Sequence, residues 1–224
     1  SPRPHRLADT VRTLDAQIGV DVELVVMGHG FEPDLTAIHA ATVGGAVRGV
    51  TTRTVETTAT LGEVLNVGFE TAESPLAAKV DDDDLYGPRY LQEQCVSLRL
   101  SGAQIVGKWS WYAYLSSLDV TVLRRPGHEH VSQPRVSGAT MVMTRDAFAA
   151  NPFPALARGE DIALLKAAER AGLPVYATSR YNFVAVRHPP GHGHTWRADD
   201  LDVATRGVDD RVHFVGAATD QIFL

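Results

Sequence analysis

Apolar residues recur along this chain with two periods, and the alternation between them outlines an architecture. Leu7, Val11, Leu14 and Ile18 return at helical spacing, which predicts an amphipathic helix over 6–18, ended by Gly19. Residues 22–27 (V-E-L-V-V-M) form a short β-rich run, a buried strand, with Gly28-His29-Gly30 as the loop after it. The same reading gives a helix over 33–41, a strand over 46–50, a helix over 60–72 and a strand over 76–80. A helix over 86–100 and strands over 104–107 and 120–123 follow. Residues 138–144 read as a strand leading into a helix over 145–150. A helix over 160–171 is ended by Gly172, and strands follow at 175–177 and 183–186. From 187 to 197 the chain is a loop of His, Pro and Gly, then acidic and irregular until 212–215. Strands alternating with helices predict an α/β domain, with helices on both faces of a mostly parallel sheet. No repeat, low-complexity linker or shift in composition divides the chain, so the pattern predicts one domain.

Composition narrows the function. Of 224 residues, 44% are apolar and 21% charged, enough for a sizeable core and against a mostly disordered chain. Basic residues number 21 against 27 acidic, a net charge of −6, which argues against a broad nucleic-acid-binding face but leaves room for a local basic pocket. The single cysteine, Cys95, has no internal partner, which fits a reducing compartment. No signal-peptide pattern and no bilayer-length apolar run is present. The expected location is the cytoplasm, with peripheral association at the inner membrane face left open.

Three segments carry candidate chemistry. Asp81-Asp82-Asp83-Asp84 stands directly after an apolar strand, where ligands sit in open α/β sheets. Four adjacent carboxylates repel one another, and a divalent cation with a preference for hard oxygen ligands, magnesium or manganese, would offset that. A solvated acidic turn with Asp84 as N-cap of the helix near Tyr86 is the competing reading. Gly159-Glu160-Asp161 opens the strongest helix of the second half; its carboxylates serve either as caps or as a general base for an acceptor hydroxyl. The third segment runs from Arg187-His188 to His192-Gly193-His194-Thr195-Trp196. Its imidazoles are candidate metal ligands or part of a plain surface loop, and no cysteine pair completes a zinc site.

Taken in order, these segments resemble the family 2 glycosyltransferases of the GT-A fold. The resemblance covers roughly residues 3 to 197. Leu61-Gly62-Glu63-Val64-Leu65-Asn66-Val67-Gly68 is similar to the family's helix before the acidic motif. Lys79-Val80-Asp81-Asp82-Asp83-Asp84-Leu85-Tyr86-Gly87-Pro88 is similar to its D-x-D motif and the turn that follows. Val106-Gly107-Lys108 and Gly138-Ala139-Thr140 resemble later strand ends, Glu160-Asp161 the pair that carries the base, and Tyr181-Asn182-Phe183 to His194-Thr195-Trp196 the C-terminal segment.

The resemblance implies an inverting transfer of a sugar from a nucleotide-diphosphate sugar, a UDP-sugar favoured, to a glycan or small-molecule acceptor hydroxyl. It implies Mn2+ or Mg2+ held by Asp83, Asp81 and His194, with Asp81 or Asp82 alternatively on the ribose. Arg3, His29 and Asn66 complete the nucleotide site, and Asp161, beside Glu160, deprotonates the acceptor. Trp109, Trp111 and Tyr112 offer a platform for a sugar ring, or are ordinary core and surface aromatics. Residues 198–224 are read as a C-terminal extension.

Two features depart from the family. Its buried first strand has no counterpart before Ser1-Pro2-Arg3-Pro4. Truncation is the favoured explanation, and 212–215 is the only spare segment that could fill the place. The carboxylate that reads the base in many relatives is also missing from Met27-Gly28-His29-Gly30. A nucleotidylyltransferase of related fold, a non-catalytic sugar-nucleotide or glycan-binding module, and a metal hydrolase using His188, His192 or His194 are the alternatives.

Overall fold

A computed structural model describes residues 6–188, 200–206 and 208–224. The first part is a βαβ unit preceded by a helix. α1 (Leu7–Asp15) leads to β1 (Val22–His29), and α2 (Leu35–Ala41) carries the chain over to β2 (Val47–Val55), parallel to β1. Two carboxylates fasten this unit. The buried Asp15 accepts hydrogen bonds from the amides of Val43 (2.8 Å), Gly45 (3.1 Å) and Val47 (3.1 Å), which closes the α2–β2 loop onto the end of α1. Glu23 accepts from the amide and hydroxyl of Ser74 (2.9 and 2.8 Å), tying β1 to the chain beyond α3 (Leu61–Thr71). α3 starts at a capping box in which Thr60 and Glu63 bond reciprocally to each other's backbone.

Two further sheets complete the domain. One has the order β3 (Leu76–Ala78), β9 (Val142–Thr144), β5 (Ile105–Gly107), β10 (Val175–Ala177), β8 (Val131–Ser132). The other has the order β12 (Val208–Val215), β7 (Val120–Arg124), β6 (Trp111–Leu115), β11 (Phe183–Arg187), β4 (Leu85–Tyr86). The main core lies where Ile105, Met141, Met143 and Ala177 meet Leu164 of α6 (Glu160–Arg170). A second core joins Val11, Val26, Ile38, Tyr90 and Phe183. Each fully buried side chain of this size contributes about 1.5–3 kcal/mol.

The sheets are mixed, not mostly parallel as the alternation predicts. Among the described residues only β1–β2, β5–β10 and β6–β11 run parallel; the other paired strands are antiparallel. The physical reason is β6. Its run W-Y-A-Y-L shows no alternation and goes unrecognised as a strand, yet it forms a tight hairpin with β7, with Trp111 opposite Arg124 and Leu115 opposite Val120. A hairpin needs only a short turn, whereas each parallel pair needs a long crossover.

Other bounds shift locally. Leu85 and Tyr86 pair with Val184 and Phe183, so the helix expected from 86 starts later, as α4 (Tyr90–Ser101). Gly138–Thr140 is a 3-10 turn rather than strand, and β9 is followed by α5 (Arg145–Ala150). The stretch read as irregular holds α7 (Asp200–Thr205) and β12, with α8 (Thr219–Ile222) after it.

β1 is paired on one edge by β2, and β3 on one edge by β9; among the described residues no strand pairs with the other edge of either. Leu24 and Val26 of β1 and Leu76 and Ala78 of β3 line one cleft of about 1440 Å³. Residues 212–215 do not fill that place: His213, Phe214 and Val215 pair with Val122, Thr121 and Val120 of β7. No helix among the described residues is long and apolar enough to cross a membrane.

Candidate active site

The acidic run begins where β3 ends. The Lys79 amide donates to the Met141 carbonyl (2.9 Å), the last tie of that strand to its neighbour. The turn beyond is held on two sides. The Asp81 amide donates to the Tyr86 hydroxyl oxygen (2.9 Å), and that hydroxyl donates to the Ala139 carbonyl (2.9 Å). Burial, then the charges of Asp84 and Asp81, push the Tyr86 phenol well above its ordinary value, so it stays protonated as this relay requires. On the other side, Asp84 accepts a hydrogen bond from the Val186 amide of β11 (2.9 Å).

These ties gather the carboxylates. Asp81, Asp83 and Asp84 each offer an oxygen within 4.8 Å of the others. Burial, then the charges of Asp81 and Asp83, raise Asp84 well above the usual carboxylate range, against the Val186 hydrogen bond and Lys79. Three converging carboxylate oxygens are the donor set that a hard divalent cation takes, so the residues fit magnesium or manganese. Asp84 is therefore a member of the cluster, not a helix cap: Arg89 occupies the cap position of α4. Asp82 lines the same cleft. His194 and Arg3, the other expected contacts, lie outside the described residues.

Across the cleft, Gly159, left-handed at φ +73°, turns the chain into α6 and presents Glu160 and Asp161 in its first turn. Glu160 is buried, which raises its carboxyl above the ordinary value, helped by Asp161 and opposed by Lys79. Asp161 is half-buried; one oxygen accepts from the Ile162 amide (2.7 Å), and the other rests against Gly138.

Lys79 joins the two acidic groups. Its buried ammonium donates to Asp81 Oδ1 at 2.5 Å. Burial alone would lower its proton affinity, but Asp81, Glu160 and Asp161 together raise it above the ordinary lysine value. Reading the acidic motif alone gives Lys79 no role; its place two residues before Asp81 is the signal the sequence offers.

The other expected residues divide. His29, at the end of β1, lines the cleft, and its Nε2 is buried with no hydrogen-bond partner among the described residues. Trp109 and Trp111 line the cleft with ring centroids 6.2 Å apart. Two residues are not brought to it. Asn66 spends both ends of its amide on the backbone of Phe153 (2.9 Å each), a structural clasp. Tyr112 points to the opposite face of the third sheet, where it packs with Leu123, Val184 and Ile222. Successive residues of a strand face opposite ways, so Trp111 and Tyr112 cannot share one platform.

Solved structures with a similar fold exist. TarS of S. aureus in complex with UDP-GlcNAc superposes with a TM-score of 0.59 at 15% identity, covering 85% of this chain and 57% of that one. The mannosyltransferase PcManGT of Pyrobaculum calidifontis, in complex with GDP-Man and Mn2+, gives 0.58 at 14% identity, covering 84% and 54%. The chain has the fold of these glycosyltransferases. It spans a little over half of residues 1–349 of TarS and of the PcManGT chain, and 35% of a longer TarS chain. No protein-family model matches the chain, and no curated protein does.

Proposed function

We propose that this chain is a glycosyltransferase that moves a sugar from a nucleotide-diphosphate sugar to an acceptor hydroxyl, with inversion and with a divalent cation. The observation that carries the reading is the pairing, across one cleft, of the Asp81–Asp83–Asp84 cluster with Asp161. The fold supports it: the similar structures hold UDP-GlcNAc, UDP, or GDP-Man with Mn2+.

In this mechanism Asp161 accepts the proton of the acceptor hydroxyl. The freed oxygen lone pair forms the bond to the anomeric carbon while the bond from that carbon to the diphosphate oxygen breaks, and the nucleoside diphosphate leaves. Asp81 and Asp83, with Asp84 beside them and His194 as a further ligand, would hold a divalent cation, which would supply compensation for the charge of the leaving diphosphate. Lys79 holds Asp81 in place, and Glu160 is a positioning residue under the first turn of α6. His29 and Asp82 face the nucleotide, Trp109 and Trp111 the acceptor. Arg3 belongs to the same nucleotide site in this reading. The domain spans 1–197 in this reading, with 198–224 as its extension. A cytoplasmic location, at the inner membrane face when the acceptor is there, completes the proposal.

The test is release of nucleoside diphosphate from a panel of UDP- and GDP-sugars with Mn2+ and a panel of sugar, polyol and sugar-phosphate acceptors, with wild type and Asp161→Asn. Release by wild type, lowered about 10²–10⁴-fold in the variant while nucleotide still binds, is expected. No release from any donor by folded protein that binds nucleotide would favour a non-catalytic module.

A further inference from the structure

The acceptor side of the cleft carries a group of arginines that the mechanism above does not use. The guanidinium of Arg125 lies 3.7 Å from the Trp109 ring centroid and 5.5 Å from that of Trp111. Its backbone is left-handed at φ +49°, a strained setting for a side chain of this size, and the Ser110 hydroxyl holds it there by donating to the Arg125 carbonyl (2.6 Å). The His128 amide in turn donates to Ser110 Oγ (3.1 Å), so the whole turn is fixed. Burial, then the charges of Arg124 and Arg135, pull the Arg125 guanidinium below its ordinary value.

All three arginines line the cleft. Arg124 reaches the carbonyls of Val203 and Arg206, and its Nε is buried without a partner among the described residues. Among the described residues no carboxylate pairs with Arg125 or Arg135; the nearby Glu129 is taken by Arg180. Arg125 and Arg135 are exposed, and with Arg124 they give this part of the cleft a positive charge that an anion would offset. Arginine is also the side chain whose planar fork suits a phosphate. Arg135 is three residues before Gly138, on which Asp161 rests, so the two positions are at most about 11 Å apart. That span fits a small phosphorylated sugar or polyol.

We propose that the acceptor bears a phosphate or phosphodiester group, held by Arg125 and Arg135 against Trp109, with its reacting hydroxyl toward Asp161. The inference rests on the glycosyl-transfer reading for the roles of the two sides. It gives the cleft opposite polarities: carboxylates at the donor end and arginines at the acceptor end.

The test uses glucose 6-phosphate and glucose as probes, in EDTA so that the acidic cluster takes no part. Binding is followed by calorimetry and by the tryptophan emission of the stacked Trp109. Glucose 6-phosphate is expected to bind and shift the emission, and glucose to do neither. Arg125→Ala and Arg135→Ala should each weaken binding about tenfold or more, Arg125→Lys less, and Arg99→Ala, on the exposed face of α4, not at all. Sedimentation with phosphatidylglycerol vesicles separates the sources: pelleting lost in Arg125→Ala supports a lipid-linked phosphate, and binding of the sugar phosphate alone a soluble one. Equal binding by wild type and folded Arg125→Ala, or equal binding of glucose and its phosphate, would overturn the proposal. So would loss of UDP and GDP binding in Arg125→Ala, which would place the arginines on the donor. Failure of the transferase reading looks different: no variant, nor wild type, would bind UDP or GDP with Mn2+.

Discussion

Asp161 rests directly on Gly138: a Cβ built on that glycine would lie 2.1 Å from Asp161 Oδ2. The glycine is needed for closeness, because its φ is not left-handed. It lets the first turn of α6 press its carboxylate against the turn that Tyr86 ties to the acidic cluster. Gly138→Ala should therefore push Asp161 aside by about an ångström. The expected result is a fall in turnover of about 10²-fold with nucleotide binding unchanged. Steady-state kinetics beside nucleotide titration would check it.

Lys79 supplies the only cationic bond drawn to Asp81 among the described residues. Removing it in Lys79→Met leaves Asp81, Glu160 and Asp161 facing one another. The expected loss lies near the lower end of about 3–5 kcal/mol, since Asp81 is one-third exposed and partly screened. Urea unfolding should show it, and Mn2+ should restore more stability to the variant than it adds to wild type.

Asp15 governs acid stability. Burial raises its carboxyl, but the amides of Val43, Val47 and Gly45 and the charge of Arg48 outweigh that and lower it below 3.8. A lowered folded value means the contribution is complete above the unfolded value and drains away as pH falls through the folded one. Asp15→Asn should cost about 1–3 kcal/mol at neutral pH. Its unfolding midpoint should also fall less steeply than wild type below about pH 4.

Asn66 separates the residues that the sequence makes legible from those it does not. The acidic run and the Glu160-Asp161 pair are readable because their place is local: one follows an apolar strand, the other opens a periodic helix. Asn66 lies in a helix whose likeness implied a nucleotide contact, yet its amide clasps Phe153, 87 residues away. No local pattern announces such a partner. Tyr112 is misplaced for a related reason: β6 has no alternation, so nothing in W-Y-A-Y-L tells which aromatic faces the cleft. The parallel first pair was legible from its crossover helix, while the β6–β7 hairpin was not.

Asn66→Ala accordingly should lower stability by about 1–3 kcal/mol through the unpaired Phe153 backbone and leave nucleotide affinity within twofold. A loss of affinity without a loss of stability would return Asn66 to the nucleotide site.

The central claim is a cation-dependent nucleotide site at Asp81 and Asp83. Calorimetric titration with UDP and with GDP, each in Mn2+ and then in EDTA, tests it most directly. The account predicts micromolar binding of at least one nucleotide, lost in EDTA and lost in Asp83→Ala. Binding that survives EDTA, or no binding of either nucleotide by the folded chain, would contradict it.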